Sequence, residues 1–201
     1  MSPIQNLDRP FNVSLVGVGG QGTLLTSDVL ALAAMHAGLD VKKSEIHGMS
    51  QRGGSVVSQV RFGPKIHSPI VPDGQSDVLV SFERTEALRW AHLARPGAKI
   101  LVNDMERVPV TVSSGLVPPA KDVDKRLAAY PGLLLIDANP LAVRAGNLRA
   151  ANVVLVGALS NLVPFDESHW QSALRERIPA KLLDVNLRAF ALGREALVQN
   201  L

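Results

Sequence analysis

The residues with the clearest chemical potential lie near the start of the chain. Gly17-Val18-Gly19-Gly20-Gln21-Gly22 carries the spacing G-x-G-x-x-G, between the apolar run VSLV and a second apolar stretch. Glycines so placed let the chain turn sharply and leave backbone N–H groups at a helix start facing an anion, where the helix dipole adds to the attraction. A full dinucleotide fingerprint also needs an acid about 20 residues further on, at the end of the second strand, to hold a ribose. Glu45 stands near that place and Asp40 is a poorer candidate, but Lys42 and Lys43 flank Glu45. Three readings stay open on these residues: a nicotinamide or flavin site, a contact with a phosphate or other anion, and a tight strand-to-helix crossing with no ligand.

A second polar, glycine-rich stretch follows, His47-Gly48-Met49-Ser50-Gln51-Arg52-Gly53-Gly54. An arginine followed by two glycines can bring its guanidinium fork and the backbone close to a carboxylate or phosphate, and Gln51 adds an amide. The alternative is a hairpin whose arginine is merely solvated. If residues 11–45 form a β-α-β unit, both glycine loops stand at the carboxyl ends of neighbouring strands, where α/β folds place ligands.

Ser81-Phe82-Glu83-Arg84-Thr85-Glu86-Ala87-Leu88-Arg89 puts Glu83 just after an apolar strand, on that same edge. Glu83 fits either an ion pair with Arg52 or acid–base work. Glu86 and Arg89, at i and i+3, read as a surface ion pair. Among the histidines, His36 reads as a packed residue of a helix face, and His47 is of interest for its place beside the Arg52 loop. No H-E-x-x-H, G-x-S-x-G or Walker sequence occurs, so zincin, serine hydrolase and P-loop chemistry find no support. Cysteine is absent, which removes disulfides, thiolate metal sites, cysteine nucleophiles and cysteine-ligated iron–sulfur clusters from this chain. Ligand-friendly loops without a nucleophile, metal site or general base look like part of an enzyme.

The elements that must hold these loops are legible from hydrophobic pattern. The 201 residues are 46% hydrophobic and 19% charged with a net charge of +3, which suits one folded domain over residues 1–201. Basic residues are scattered, so no nucleic-acid arm is expected; no apolar run is long enough to span a membrane and no signal peptide opens the chain, so a cytoplasmic protein is expected. Strands are predicted at 11–18, 41–45, 55–62, 78–82, 99–102 and 133–136, with a short edge strand at 108–112. Helices are predicted from Gly22 to Ala37, 85–93, 121–129, from a cap at Asp137 or Asn139 through Arg144, 151–162, 167–177 and 182–201. Strand and helix alternate along most of the chain, the pattern of an α/β, doubly wound, mainly parallel sheet with helices on both faces, Rossmann-like in plan.

Read together, these pieces resemble a family. The segments GVGGQG (17–22), EIHGMSQRGGSVVSQVRFG (45–63), DVLVSFERTEALR (77–89), NVVLVGAL (152–159) and NLRAFALG (186–193) are similar, in order, to the gamma-type subunit or domain of the 2-oxoacid:ferredoxin oxidoreductases. The form MSQRGG points to the indolepyruvate branch and its small beta subunit, since the pyruvate and 2-oxoglutarate branches more often carry GPE-RGG there. The resemblance implies a subunit inactive alone, docked on a large catalytic partner that carries thiamine diphosphate and iron–sulfur clusters. In such complexes a 2-oxoacid is decarboxylated, electrons pass to ferredoxin, and the acyl group goes to coenzyme A. The family's motifs fall on Gly17, Gly19, Gly20, Gln21 and Gly22 and on Gln51, Arg52, Gly53 and Gly54. These are the candidate cofactor-binding residues, for contact with coenzyme A or the partner; no catalytic or metal-binding residue is expected in the chain. The rival expectation is a stand-alone nicotinamide- or flavin-binding protein.

Overall fold

A computed structural model of the chain describes residues 7–47, 54–108 and 110–199. Gln51, Arg52 and Gly53, with the side chain of His47, lie outside the described residues. Six strands, β1 (Phe11–Val18), β2 (Asp40–His47), β3 (Ser55–Gly63), β4 (Ser76–Ser81), β5 (Ala94–Asn103) and β6 (Leu133–Ile136), form one sheet in the order β2-β3-β1-β4-β5-β6. Strands β1, β4, β5 and β6 pair in parallel, and β3 runs antiparallel to both β1 and β2. The predicted mainly parallel sheet is therefore present, but β2 is not β1's neighbour. The physical reason is the length of the connection from His47 to Ser55, too short for a parallel crossover. It returns β3 antiparallel, and β3's other side then pairs along all of β1, from Phe11↔Phe62 to Val18↔Ser55.

Strand β1 is central because it is apolar on both sides. Val13 and Leu15 pack into the larger core, while Val16 joins Val57, Leu79 and Val102 in a smaller one on the opposite face. The larger core is covered by α1 (Thr23–His36), α5 (Ala138–Ala145), α6 (Ala151–Leu159), α7 (Glu167–Arg177) and α8 (Ala180–Val198), and the smaller by α2 (Arg84–Trp90) and α4 (Val123–Leu127). Helix α6 reads NVVLVGAL from its second residue and is buried throughout, as a helix apolar all round must be. It meets α8 at a crossing so close that a Cβ on Gly157 would lie 2.0 Å from the Phe190 carbonyl oxygen, and one on Gly193 1.9 Å from that of Val154.

Three local expectations need correction. Residues Val110–Ser113 form a helical turn, labelled α3, in place of an edge strand; β6 already occupies the free side of β5, so no strand partner remains there. Strand β5 begins at Ala94, before Gly97, and takes up that glycine's left-handed φ of 77° as an irregularity in its pairing with β4. His36 is exposed at the end of α1 and meets Glu176 at 2.9 Å, so it is not packed in the core.

Candidate ligand edge

The site lies on the carboxyl edge of the sheet. There β1 leads through its glycine turn into α1 on one face, and β4 leads into α2 on the other, so β1 and β4 straddle the point where the connections diverge. Open α/β sheets hold ligands in that crevice. The two glycine loops do converge on this edge at the residues described: the Gly19 N–H donates to the Gly54 carbonyl at 2.8 Å, just beyond the Val18↔Ser55 pair.

Within the turn, Gln21 folds back on its own strand. Its Oε1 accepts from the Val18 N–H at 2.7 Å and occupies the space that a Cβ on Gly17 would need. Its Nε2 is buried with no hydrogen-bond partner among the described residues. Gly22, at φ 92°, starts α1 without a side-chain cap, and the first turn of α1 carries no acid. The leading amides of this 14-residue helix therefore lack the usual side-chain acceptor. A Cβ on Gly22 would lie 2.4 Å from Asn152 Nδ2, so the glycine also lets α6 close against the turn.

Glu45 is not a ribose acid for this turn. It stands opposite Ser58, which stands opposite Leu15, with the whole of β3 between β2 and β1. Two strand spacings of about 4.8 Å part it from β1, and Lys43 holds it at 2.6 Å. Asp40, at the start of β2, accepts from the Ile66 N–H at 2.7 Å, far from the turn's end of the strand.

Glu83, only 1% exposed, is the N-cap of α2: its carboxylate accepts from the N–H groups of Glu86 and of Thr85 (3.0 Å), and from that of Arg107 at 3.5 Å. Burial raises its pKa above the ordinary carboxylate value, and the three amides oppose that rise without cancelling it. It ties the end of β4 to α2 and to the segment after β5, while the expected pairing with Arg52 lies outside the described residues. Glu86 is no surface residue, being 2% exposed. It pairs with half-exposed Arg89 at 3.1 Å, and it accepts from the Ser55 hydroxyl and from Trp90 Nε1 (3.2 Å). Ser55 begins β3, so this cluster pins one end of the Arg52 loop to α2. Helical spacing found the Glu86–Arg89 pair but could not show that a neighbouring strand buries its acid.

Sequence reasoning missed the other half of the edge. A crevice of about 510 Å³ opens beyond the ends of β1, β4 and β5, lined by Gly20, Gln21 and Phe82 and also by Met105, Arg107 and Arg149. Asn103 closes its floor, its Oδ1 accepting from the Ala138 N–H at 3.0 Å and so holding the start of α5 to β5. Arg107 and Arg149 belong to no motif, and only the fold brings them to the glycine turn. Among the described residues no group of three or more His, Asp or Glu could hold a metal, and no helix is long and apolar enough to cross a membrane.

Comparison with known proteins agrees with this plan. Residues 12–196 match the family model described as pyruvate ferredoxin/flavodoxin oxidoreductase. The indolepyruvate oxidoreductase subunit IorB of Thermococcus kodakarensis is 42% identical over 194 residues, covering 94% of this chain and 96% of that protein. Its namesake in Archaeoglobus fulgidus is 39% identical, over 91% and 93% of the two chains. Among solved structures, the pyruvate oxidoreductase subunit PORC of Thermotoga maritima superposes with a TM-score of 0.71 at 22% identity, over 94% of this chain and 97% of its own. A 2-oxoglutarate:ferredoxin oxidoreductase from Magnetococcus marinus, solved with 2-oxoglutarate, coenzyme A and succinyl-CoA, gives 0.73 at 21% identity, this chain matching 96% of its own length and 32% of that one. Matched from β1 into α8 by the family's model, the chain belongs to the pyruvate ferredoxin/flavodoxin oxidoreductase family.

Proposed function

We infer that this chain is the small, cluster-free subunit of an indolepyruvate- or arylpyruvate-type 2-oxoacid:ferredoxin oxidoreductase, inactive by itself. The observation that carries the reading is an edge built to bind, on a chain 42% identical to a subunit named for that reaction. The α1 amides that carry no side-chain cap and two arginines lie on this edge, while its buried acid, Glu83, is taken up by the amides of α2. A large partner subunit then carries thiamine diphosphate and iron–sulfur clusters, which supply the decarboxylation and the electron path to ferredoxin, with coenzyme A as acyl acceptor. A chain without cysteine suits that division of labour.

In this reading the residues of this chain position and shield. Gly17, Gly19, Gly20, Gln21 and Gly22, with Gln51, Arg52, Gly53 and Gly54, contact coenzyme A or the partner. The donors on the edge favour an anionic group, and the complex works in the cytoplasm, apart from membranes and nucleic acid. The stand-alone nicotinamide- or flavin-binding alternative loses its ribose acid, because Glu45 is committed to Lys43 two strands from the turn.

The test is reconstitution. The catalytic subunit from the same genome, with and without this chain, is assayed for reduction of viologen dye by indolepyruvate and other arylpyruvates in the presence of coenzyme A. Turnover that requires both chains is expected; full activity from the large subunit alone would sink the reading. Arg52→Ala is expected to lower turnover at least tenfold with the complex still assembled, and wild-type turnover in that variant would remove the loop from the mechanism.

A further inference from the structure

The two edges of the sheet differ in length and in charge. One is β6, four apolar residues without a charge; the other is β2, eight residues that read DVKKSEIH. β2 pairs with β3 at every position from Asp40↔Gly63 to His47↔Val56, without a bulge, and among the described residues no strand takes its outer side. The outward N–H and C=O groups of such an edge are a template for another strand, and lysines on it commonly repel one. Here Lys43 is neutralised within its own chain: it donates to Asp28 of α1 and holds Glu45 at 2.6 Å. Successive side chains alternate between faces. Lys43 and Glu45 therefore share the face covered by α1, while Lys42, Ser44 and Ile46 share the face of Val57 and the smaller core. Ile46 is 55% exposed there, and so is Ile70 at 49%, whose carbonyl accepts from Arg61 of β3 at 2.8 Å.

A second copy can add to this edge antiparallel, about a two-fold axis normal to the sheet, with each face continuous across the join. Directly opposed residues project on the same face, so one residue of β2 must meet its own copy on the axis. Four registers pair five or more residues of Asp40–His47, those centred on Lys42, Lys43, Ser44 and Glu45. Three of them set a charged side chain against itself. The Ser44-centred register instead opposes Lys43 of each copy to Glu45 of the other. Together with the ion pair inside each chain, four charges then alternate in sign around the axis. On the other face this register lays the stem of Lys42 against Ile46 of the second copy, covering an isoleucine otherwise left in water. Lys42 is itself opposite Arg61, so Ile70 lies beside the same join.

We propose that two copies of this chain join through β2 in the Ser44-centred register, making their two six-stranded sheets continuous. The join uses neither the glycine turn nor the catalytic partner, so it stands or falls apart from the subunit reading.

Sedimentation equilibrium of the full-length chain is expected to show a reversible monomer–dimer equilibrium, and a monomer at every concentration overturns the proposal. The chain has no cysteine, so Ser44→Cys introduces a single thiol. Opposed residues bring their Cα atoms to about 4.5–5.5 Å, within reach of a disulfide. Lys42 stands four residues away from its own copy, roughly 13 Å along the strand. Mild oxidation is therefore expected to link Ser44→Cys into a covalent dimer that reductant dissolves, and to leave Lys42→Cys unlinked. Linkage of Lys42→Cys, or none of Ser44→Cys, overturns the register and the proposal with it. Lys43→Glu and Glu45→Lys each turn the opposed pairs into like charges, so each is expected to self-associate at least tenfold more weakly. Mixed in equal amounts they are expected to associate about as tightly as wild type, each supplying the charge that the other lacks. Circular dichroism melts establish that both variants are folded, and two folded variants that stay apart when mixed overturn the proposal.

Discussion

Gly193→Ala should be among the most damaging single-methyl changes available to this chain, because the α6–α8 crossing leaves no room for the new atom. An added Cβ would lie 1.9 Å from the Val154 carbonyl oxygen and 2.7 Å from its carbon, both backbone atoms of a helix buried on every side. Ordinary van der Waals contact begins near 3.4 Å, so neither a rotamer change nor a side-chain shift relieves the overlap. The two helices must separate by roughly 1 Å, and a gap of that size forfeits a quarter to a half of each dispersion contact across the crossing. Overpacking a core costs typically about 1–3 kcal/mol; with backbone on both sides, we expect about 3 kcal/mol, a large share of the roughly 5–15 kcal/mol that holds a domain folded. For a chain of this size that corresponds to a fall in Tm of about 6–12 °C. Urea and thermal unfolding of the isolated chain, followed by circular dichroism, measure it. Gly157→Ala, whose Cβ would meet the Phe190 carbonyl oxygen at 2.0 Å in the same crossing, should cost a similar amount. The double variant should cost clearly less than the sum, since one separation of the helices accommodates both methyl groups. A Gly193→Ala chain melting within about 2 °C of wild type, or strict additivity of the pair, would refute the argument.

Further outcomes follow from other contacts. Asp77 is buried, which pushes its pKa up, yet hydrogen bonds from Arg9, the Asn12 N–H and Arg95 hold it below the ordinary carboxylate value. Its contribution to stability is therefore present above the unfolded pKa of about 3.9 and is lost as pH falls through the lowered folded value. Asp77→Asn should cost about 1.5–3 kcal/mol near neutral pH and lose its difference from wild type in acid unfolding. Glu83 has the opposite sign: burial raises its folded pKa, so the stability it confers is full below the unfolded value of about 4.3 and declines as pH climbs through the raised one. Wild type minus Glu83→Gln in a Tm-versus-pH series should show that decline, and Glu83→Ala should cost about 1–2 kcal/mol through loss of the α2 cap. Gly22→Ala should destabilise by about 1–2 kcal/mol for its left-handed backbone alone, and by more for the approach to Asn152; thermal melts of the chain and assembly with the partner subunit report the two consequences separately.

Local chemistry in the sequence determined a good deal of this protein. VSLVGV, VVSQV and DVLVS announce buried strands because their apolar residues must be covered on both faces, and the glycine turn with its following helix lies where G-x-G-x-x-G placed it. The family was legible too, because its motifs run in order through the whole chain. Strand order was decided elsewhere. Pairing of β3 between β1 and β2 depends on which edge a short returning strand can reach, a competition among distant segments that no local window records. It separated Glu45 from the turn and removed the ribose acid that spacing had suggested. Packing likewise turned Glu86 from a surface charge into a buried acceptor for Ser55 and Trp90. Arg107 and Arg149 lie more than eighty residues beyond the glycine turn, in segments without a motif, and meet it because β5 and the entry to α6 end on the same edge. Residue spacing could find the turn because a turn is made by neighbours; the crevice beside it is made by chain ends that only the folded sheet brings together.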